Sequence, residues 1–387
     1  MSSTPVGRVA SASERIETTA PRIGPRGLDT GAERPTRPAG RPTGGRGSFW
    51  VWAVALGAAL AASVIAAVTI GPAGLAPTDV VASVLAHLGI GEPTLSPLRD
   101  GIVWELRMPR VLTAAAVGAG LALCGAVMQA LTRNPLADPY LLGLSSGASV
   151  GAVIVIVLGV GLLLPFAAFA GALVALVATL ALAGAAGRGS GRGSGGGLSP
   201  TRTVLAGLAV SSMFGAVTSL VIFWSATGDS YREILNWLLG SLAGTDWVSV
   251  AIAGGALVAI GIPLIASART LDAFAFGDAA ASALGVHVGR SRLLLLGGTA
   301  LLTGALVAVS GSIGFVGLIL PHGVRLLVGS RHRALLPLSA LAGALFLVWA
   351  DTAARTLFDP RELPVGIITA LVGGPVFALL LMRRRVS

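Results

Sequence analysis

The chain has 387 residues, of which 54% are hydrophobic and only 11% charged, with a mean hydropathy of +0.84. Soluble domains carry about a quarter charged residues, and one core of this size cannot hide so much apolar surface. Lipid must be the main solvent, which excludes an ordinary water-soluble enzyme or binding module.

All 27 basic residues are arginine, because the sequence contains no lysine. A phosphate-binding Gly-x-x-x-x-Gly-Lys loop is therefore excluded, as is lysine Schiff-base chemistry. One cysteine, Cys124, rules out an internal disulfide and a cysteine-cluster metal site. In its apolar stretch it reads as a small buried hydrophobe. No Ser-His-Asp arrangement, Gly-x-Ser-x-Gly motif or metal-spaced His/Asp/Glu cluster stands out. The residues thus point to no catalytic site, and no cofactor or metal is expected.

Residues 1–48 hold eight arginines among Pro, Gly, Ser and Thr without apolar periodicity, the composition of a disordered tail. The net charge of +10 invites a nucleic-acid reading, but its distribution argues against one. A tail of this kind suits a solvated orientation signal or contact with anionic lipid. The apolar run that follows is too long for a signal-peptide core.

A spanning helix needs about 20 apolar residues. Such runs predict helices near 49–70, 110–131, 141–161, 164–184 and 203–224. The second half adds 247–266, 293–311, 313–329, 335–351 and 364–382. The fold class is therefore an all-α, polytopic membrane protein of about ten spanning helices. Three connections have character of their own. In 72–105, TDVVASVLAHLG begins with a capping residue and predicts a short surface helix. Residues 185–200 form a Gly/Ser linker. Segment 267–292 is too polar to span. Its Leu271, Phe274, Ala281 and Leu284 suit one apolar face across two short helices broken at Gly277, docked on lipid or on a partner protein.

Arginine placement sets the orientation. Beyond the tail, thirteen arginines from Arg133 to Arg385 fall on the side of the tail. Only Arg99, Arg107, Arg110, Arg232, Arg355 and Arg361 fall on the other. Both termini are accordingly expected in the cytoplasm.

Small residues recur at four-residue spacing at Gly143, Gly147 and Gly151, and at Gly207, Ser211 and Gly215, as close helix packing requires. The predicted helix centres are nearly free of ionisable residues, whereas an ion-coupled carrier needs buried carboxylates. Asp351 and Arg325 sit toward helix ends, where long side chains snorkel. Gln129 reads as a bond between helices or as a substrate contact. His322, after Pro321, reads as part of a proline kink or as a ligand.

Five strings then carry a resemblance. They are RMPRVLTAAAVGAGLALCGAVMQALTRNPLADPYLLGLSSGASVGA (107–152), NWLLGSLAG (236–244), FGDAAASALGV (276–286), SGSIGFVGLILPHGVRLL (310–327) and ADTAARTLFDPRELPVGIITALVGGPVF (350–377). Together they resemble the FecCD-type permeases of ABC importers for siderophores, haem and vitamin B12. The resemblance covers nearly all of 49–387, a single permease domain, and implies the type II importer fold. It implies a second permease subunit, identical or closely related, two cytoplasmic ATPase subunits and an extracytoplasmic substrate-binding protein. The membrane is then the cytoplasmic (inner) membrane of a bacterium. The cargo implied is a ferric siderophore, with cobalamin or haem as the alternative.

By the same resemblance, segment 267–292 couples to the ATPase, with Phe276, Gly277, Asp278, Leu284 and Gly285 on the family pattern. Ala279 stands where the family often carries an acidic residue. Arg107, Arg110 and Arg355 match arginines that dock the binding protein; outside the resemblance, lipid-headgroup snorkelling explains them as well. LSPTR (198–202) matches the inner gate, placing Pro200 and Thr201 at the constriction. The pathway is expected between subunits, along 203–224 and parts of 364–382.

Overall fold

The computed structural model describes residues 46–90, 92, 95–188, 199–225 and 227–383. The expected tail, up to residue 45, and the linker residues 189–198 lie outside them. Among the described residues every regular element is helical. Seven helices among the described residues are long and apolar enough to cross a membrane, and three shorter apolar ones, Leu144–Val157, Val316–Val328 and Val365–Leu380, bring the number to the ten expected.

In chain order α1 is Arg46–Thr69, α2 Pro77–His87 and α3 Pro97–Gly101. A π-helical turn, Ile102–Arg107, joins α3 to α4 (Met108–Thr132), so the helix expected from 110 begins well before it. Then follow α5 (Leu144–Val157), α6 (Leu164–Arg188), α7 (Pro200–Ser225), α8 (Gly228–Leu238) and α9 (Trp247–Ala256). A second π-turn leads from α9 into α10 (Ile262–Ala266). The rest are α11 (Ala268–Phe274), α12 (Asp278–Ala283), α13 (Val288–Ser310), α14 (Val316–Val328), α15 (His332–Thr356) and α16 (Val365–Arg383).

Local chemistry accounts for the boundaries. Helix α2 starts one residue before Thr78 because Pro77 pre-sets the first turn, while the Asp79 carboxylate accepts the Ala76 N–H at 3.0 Å. Helix α8 escaped a search for apolar runs, since GDSYREILNWL buries only Ile234 and Trp237.

Helix α4 is the axis, buried over most of its length from Met108 to Leu131 and packed against α15, α14, α13 and α9. Small residues permit this. A Cβ at Gly118 would enter the Gly343 carbonyl of α15, and one at Gly125 would enter the backbone of Gly317. Gly147 and Gly151 of α5 press in the same way on Gly171 and Ala167 of α6, and Gly207 of α7 on Leu141. Gly215, expected to join them, faces open space.

Helices α5 and α14 are each only about 20 Å long, short of the roughly 30 Å hydrocarbon layer. The run expected to be helical from 313 is irregular backbone up to Phe315, with positive φ at Gly311 (65°) and Phe315 (70°). Lipid demands that such backbone be satisfied from within. The Tyr140 hydroxyl donates to the Ile313 carbonyl at 3.0 Å and accepts the Ile313 N–H at 3.2 Å. The Ser145 and Ser312 hydroxyls meet at 2.8 Å, and the Ser241 N–H donates to the Ser310 carbonyl.

Pro321 interrupts α14 and leaves the Gly317 carbonyl without its helical donor. Gln129 of α4 supplies one, its Nε2 donating to Gly317 and Leu318 oxygens at 3.2 and 3.1 Å. Its Oε1 accepts from Arg325 at 3.2 Å. Gln129 is thus a bond between helices, and it does for the proline kink what the sequence suggested of His322 and its neighbours.

Candidate functional site

The sequence-derived residues gather at the two ends of the bundle. At the end where α1 stops and α4 starts, α1 leaves its last carbonyls exposed to lipid unless donors reach them. Arg107 donates to the Val68 and Thr69 oxygens at 2.7 and 3.2 Å. Arg355 donates to Ala67 and, at 3.2 Å, to Ile70. Two arginines at a helix C-terminus also match the sign of its dipole. Gly71 (φ +138) allows the Arg107 guanidinium to lie against the backbone, where a Cβ would collide with it.

Arg110 is the centre of the cluster. Its Nε and Nη2 grip Asp351 of α15 at 2.9–3.1 Å, and its Nη1 donates to Glu362 at 2.7 Å. Asp351 is 1% exposed and lies 3.8 Å from Arg355 Nε. Asp351 therefore does not snorkel as expected from its place near a helix end; it is buried because two arginines neutralise it. All three predicted arginines come together here, each engaged within the chain, and Glu362, 49% exposed, forms the rim. Asp351 and Glu362 were missed as members. The four-residue spacing from Asp351 to Arg355 was the available signal.

Cavity-lining residues at the same end include Glu233, Asn236 and Trp237 of α8, with Asp246 and Phe166, around about 580 Å³.

At the opposite end, segment 267–292 forms the two expected short helices, α11 and α12, with Gly277 (φ 93) between them. Leu271, Phe274 and Ala281 are buried as expected. Leu284 is not part of that face. It is 69% exposed, because α12 ends at Ala283 and Leu284 already lies outside the buried stripe. Phe276 is 77% exposed. Asp278 binds Arg292 of α13 bidentately at 2.8 and 3.0 Å. These bonds hold its carboxyl below the usual range, against the opposing effect of burial. Gly285 (φ 84) turns the chain toward α13.

Pro200 and Thr201 occupy the first turn of α7 rather than a loop, with Pro200 at a position where a missing N–H costs nothing. Pro200 and Thr203 share a narrow cleft with Met128, Thr132 and Arg292.

An apolar helical bundle, with its charges gathered at both ends, defines a multi-pass membrane protein. Residues 59–383 match the FecCD transport family, and the chain belongs to it. It is 44% identical over 333 residues to the uncharacterized ABC transporter permease protein YvrB of Bacillus subtilis, covering 84% of this chain and 91% of that one. It is 40% identical over 370 residues to the cobalamin import system permease protein BtuC of Halobacterium salinarum, covering 87% and 96%. Among solved structures it is similar to a metal-chelate type ABC transporter in an inward-facing conformation, with a TM-score of 0.72 and 32% identity over 86% of this chain and 98% of the other.

Proposed function

We propose that the chain is the permease of an importer that carries a ferric siderophore across the cytoplasmic membrane, driven by ATP that separate subunits hydrolyse. The likeness over almost the whole length to a metal-chelate transporter carries this reading. The cobalamin permease relative favours a second cargo, cobalamin. In either case the chain pairs with a second permease subunit, two cytoplasmic ATPase subunits and an extracytoplasmic binding protein. The tail, the hinge at Gly277 and the C-terminus face the cytoplasm.

In this reading the exposed Phe276 and Leu284 insert into the ATPase, with Gly277, Asp278 and Gly285 shaping their presentation. Pro200 and Thr201 line the inner gate. The Arg107–Arg110–Arg355 cluster marks the end that receives the binding protein, whose acidic groups reach Arg110 by displacing the half-exposed Glu362. Driving energy supplied by an outside ATPase fits a chain without lysine.

Uptake into vesicles holding the assembled complex tests the reading, with labelled ferric siderophore and labelled cobalamin offered separately. Accumulation of the ferric siderophore that vanadate abolishes and a protonophore spares is expected. Accumulation of cobalamin alone overturns the cargo; loss with protonophore alone overturns the ATP-driven mechanism.

A further inference from the structure

The two short helices of the hinge element are fastened to two different spanning helices. On the α11 side, Asp272 Oδ1 accepts the His332 backbone N–H at 3.0 Å and lies 2.6 Å from His332 Nδ1. It thereby satisfies an orphan donor at the start of α15. On the α12 side, both carboxylate oxygens of Asp278 are held by Arg292 near the start of α13. The Arg292 guanidinium also lies 5.3 Å from the ring centroid of Phe274, the last residue of α11. One arginine, 5% exposed, therefore grips both sides of the glycine.

Gly277 is the joint. Its φ of +93 is a conformation L side chains rarely adopt, and a Cβ there would sit 3.2 Å from Arg133 Nη1. Phe276 and Leu284 flank α12 and project from the protein, so a partner grasping them turns α12 about this joint. The displacement then has two routes. Arg292 lines the same cleft as Pro200 and Thr203, so one route leads to the start of α7. Helix α13 itself ends at the irregular, positive-φ stretch 311–315. The other route is α15, helical from His332 past Pro337 to Thr356, which carries Asp351 and Arg355 at its far end. One rod thus joins the hinge to the arginine cluster.

We propose that Arg292 and His332 are the positioning residues that pass movement of the hinge element to α13 and to α15, and that Asp278 serves this linkage from within rather than by touching the ATPase. The proposal rests on reading the hinge element as the ATPase contact. Arg292 suits the task because its planar fork holds Asp278 at two points, which a lysine cannot do.

The assembled complex with its ATPase and binding-protein subunits provides the test. Arg292→Gln, Arg292→Lys, Asp278→Asn and His332→Gln are compared for co-purification of the ATPase and for cargo imported per ATP hydrolysed. Each variant is expected to retain the ATPase while imported cargo per ATP falls about tenfold, the scale of a typical coupling free energy. The exchange variant carrying Asp278→Arg and Arg292→Asp together is expected to recover most of the import per ATP that either single exchange loses. Wild-type import per ATP in Arg292→Gln and His332→Gln overturns the proposal, as does an exchange variant no better than its single parents. Unchanged ATPase co-purification after Phe276→Asp with Leu284→Asp would instead remove the contact on which the proposal rests.

Discussion

The two ends of the bundle handle charge in opposite ways. Around Arg110, charges are buried, multiply bonded and spent inside the chain, so that α1, α4 and α15 are tied into one rigid cap. Around Gly277, the Asp278–Arg292 ion pair and the Asp272–His332 contact each keep an exposed member, and two apolar side chains stand free of the protein. Burial makes an ion pair costly to break but unavailable to a partner. Exposure makes it weak but leaves it able to rearrange. The first end is built to hold its shape, and the second to move.

Breaking the cap should be the costliest change. Asp351→Asn removes the carboxylate that neutralises Arg110 and Arg355, and a cost of about 3–5 kcal/mol is expected for stranding buried charge. Thermal unfolding of the purified permease in detergent measures it. A cost under 1 kcal/mol would place this end on a par with the other.

Gln129→Leu sharpens the contrast from the hinge half of α4, where a neutral bond rather than an ion pair ties α4 to α14. It strands the carbonyl that Pro321 releases, and about 1–3 kcal/mol is expected in the same assay. Pro321→Ala in the Gln129→Leu background should recover part of it, because the helical donor returns.

Glu362→Gln probes the rim of the cap. Half-exposed, it is expected to cost at most about 1 kcal/mol, discounted for solvent screening. That cost should shrink as salt rises to about 1 M, where the screening length falls to roughly 3 Å. A salt-independent loss would mean that the buried network reaches further outward than the geometry indicates.

The smallest effect concerns pH at the hinge. The Arg292 bonds depress the Asp278 carboxyl, so its contribution is present above the unfolded value of about 3.9 and is lost only as pH falls below it. The stability difference between the wild-type chain and Asp278→Asn should therefore be flat between about pH 5 and pH 8. Below about pH 4 the difference should shrink, and one that stays constant there would show that the pair is not formed.

Much of this architecture could be read before any coordinates. Apolar runs located the seven helices long enough to span, and the three shorter apolar ones, among the described residues, because lipid penalises any unsatisfied backbone and leaves the helix as the only local answer. Gly277 was legible as a break because only glycine takes that backbone angle without cost. Helix α8 was not legible, being amphipathic and short, and neither was the irregular stretch 311–315, which lies between two long apolar runs. There the outcome was decided by Tyr140 and Ser145, more than 150 residues away, which satisfy the freed backbone.

The candidate site divides along the same line. Residue types and motif positions singled out Arg107, Arg110 and Arg355 together with Phe276 and Asp278. Composition by itself determined that lipid is the solvent, that the chain is helical and that no lysine-based nucleotide loop exists, because these follow from transfer free energies and residue chemistry without regard to neighbours. Only the tertiary structure decided that the arginines face inward onto Asp351, that Gln129 repairs the kink at Pro321 and that Asp278 is held by Arg292. Each of those pairs residues distant in sequence, and an ion pair or a satisfied carbonyl exists only once packing has brought both partners to the same place.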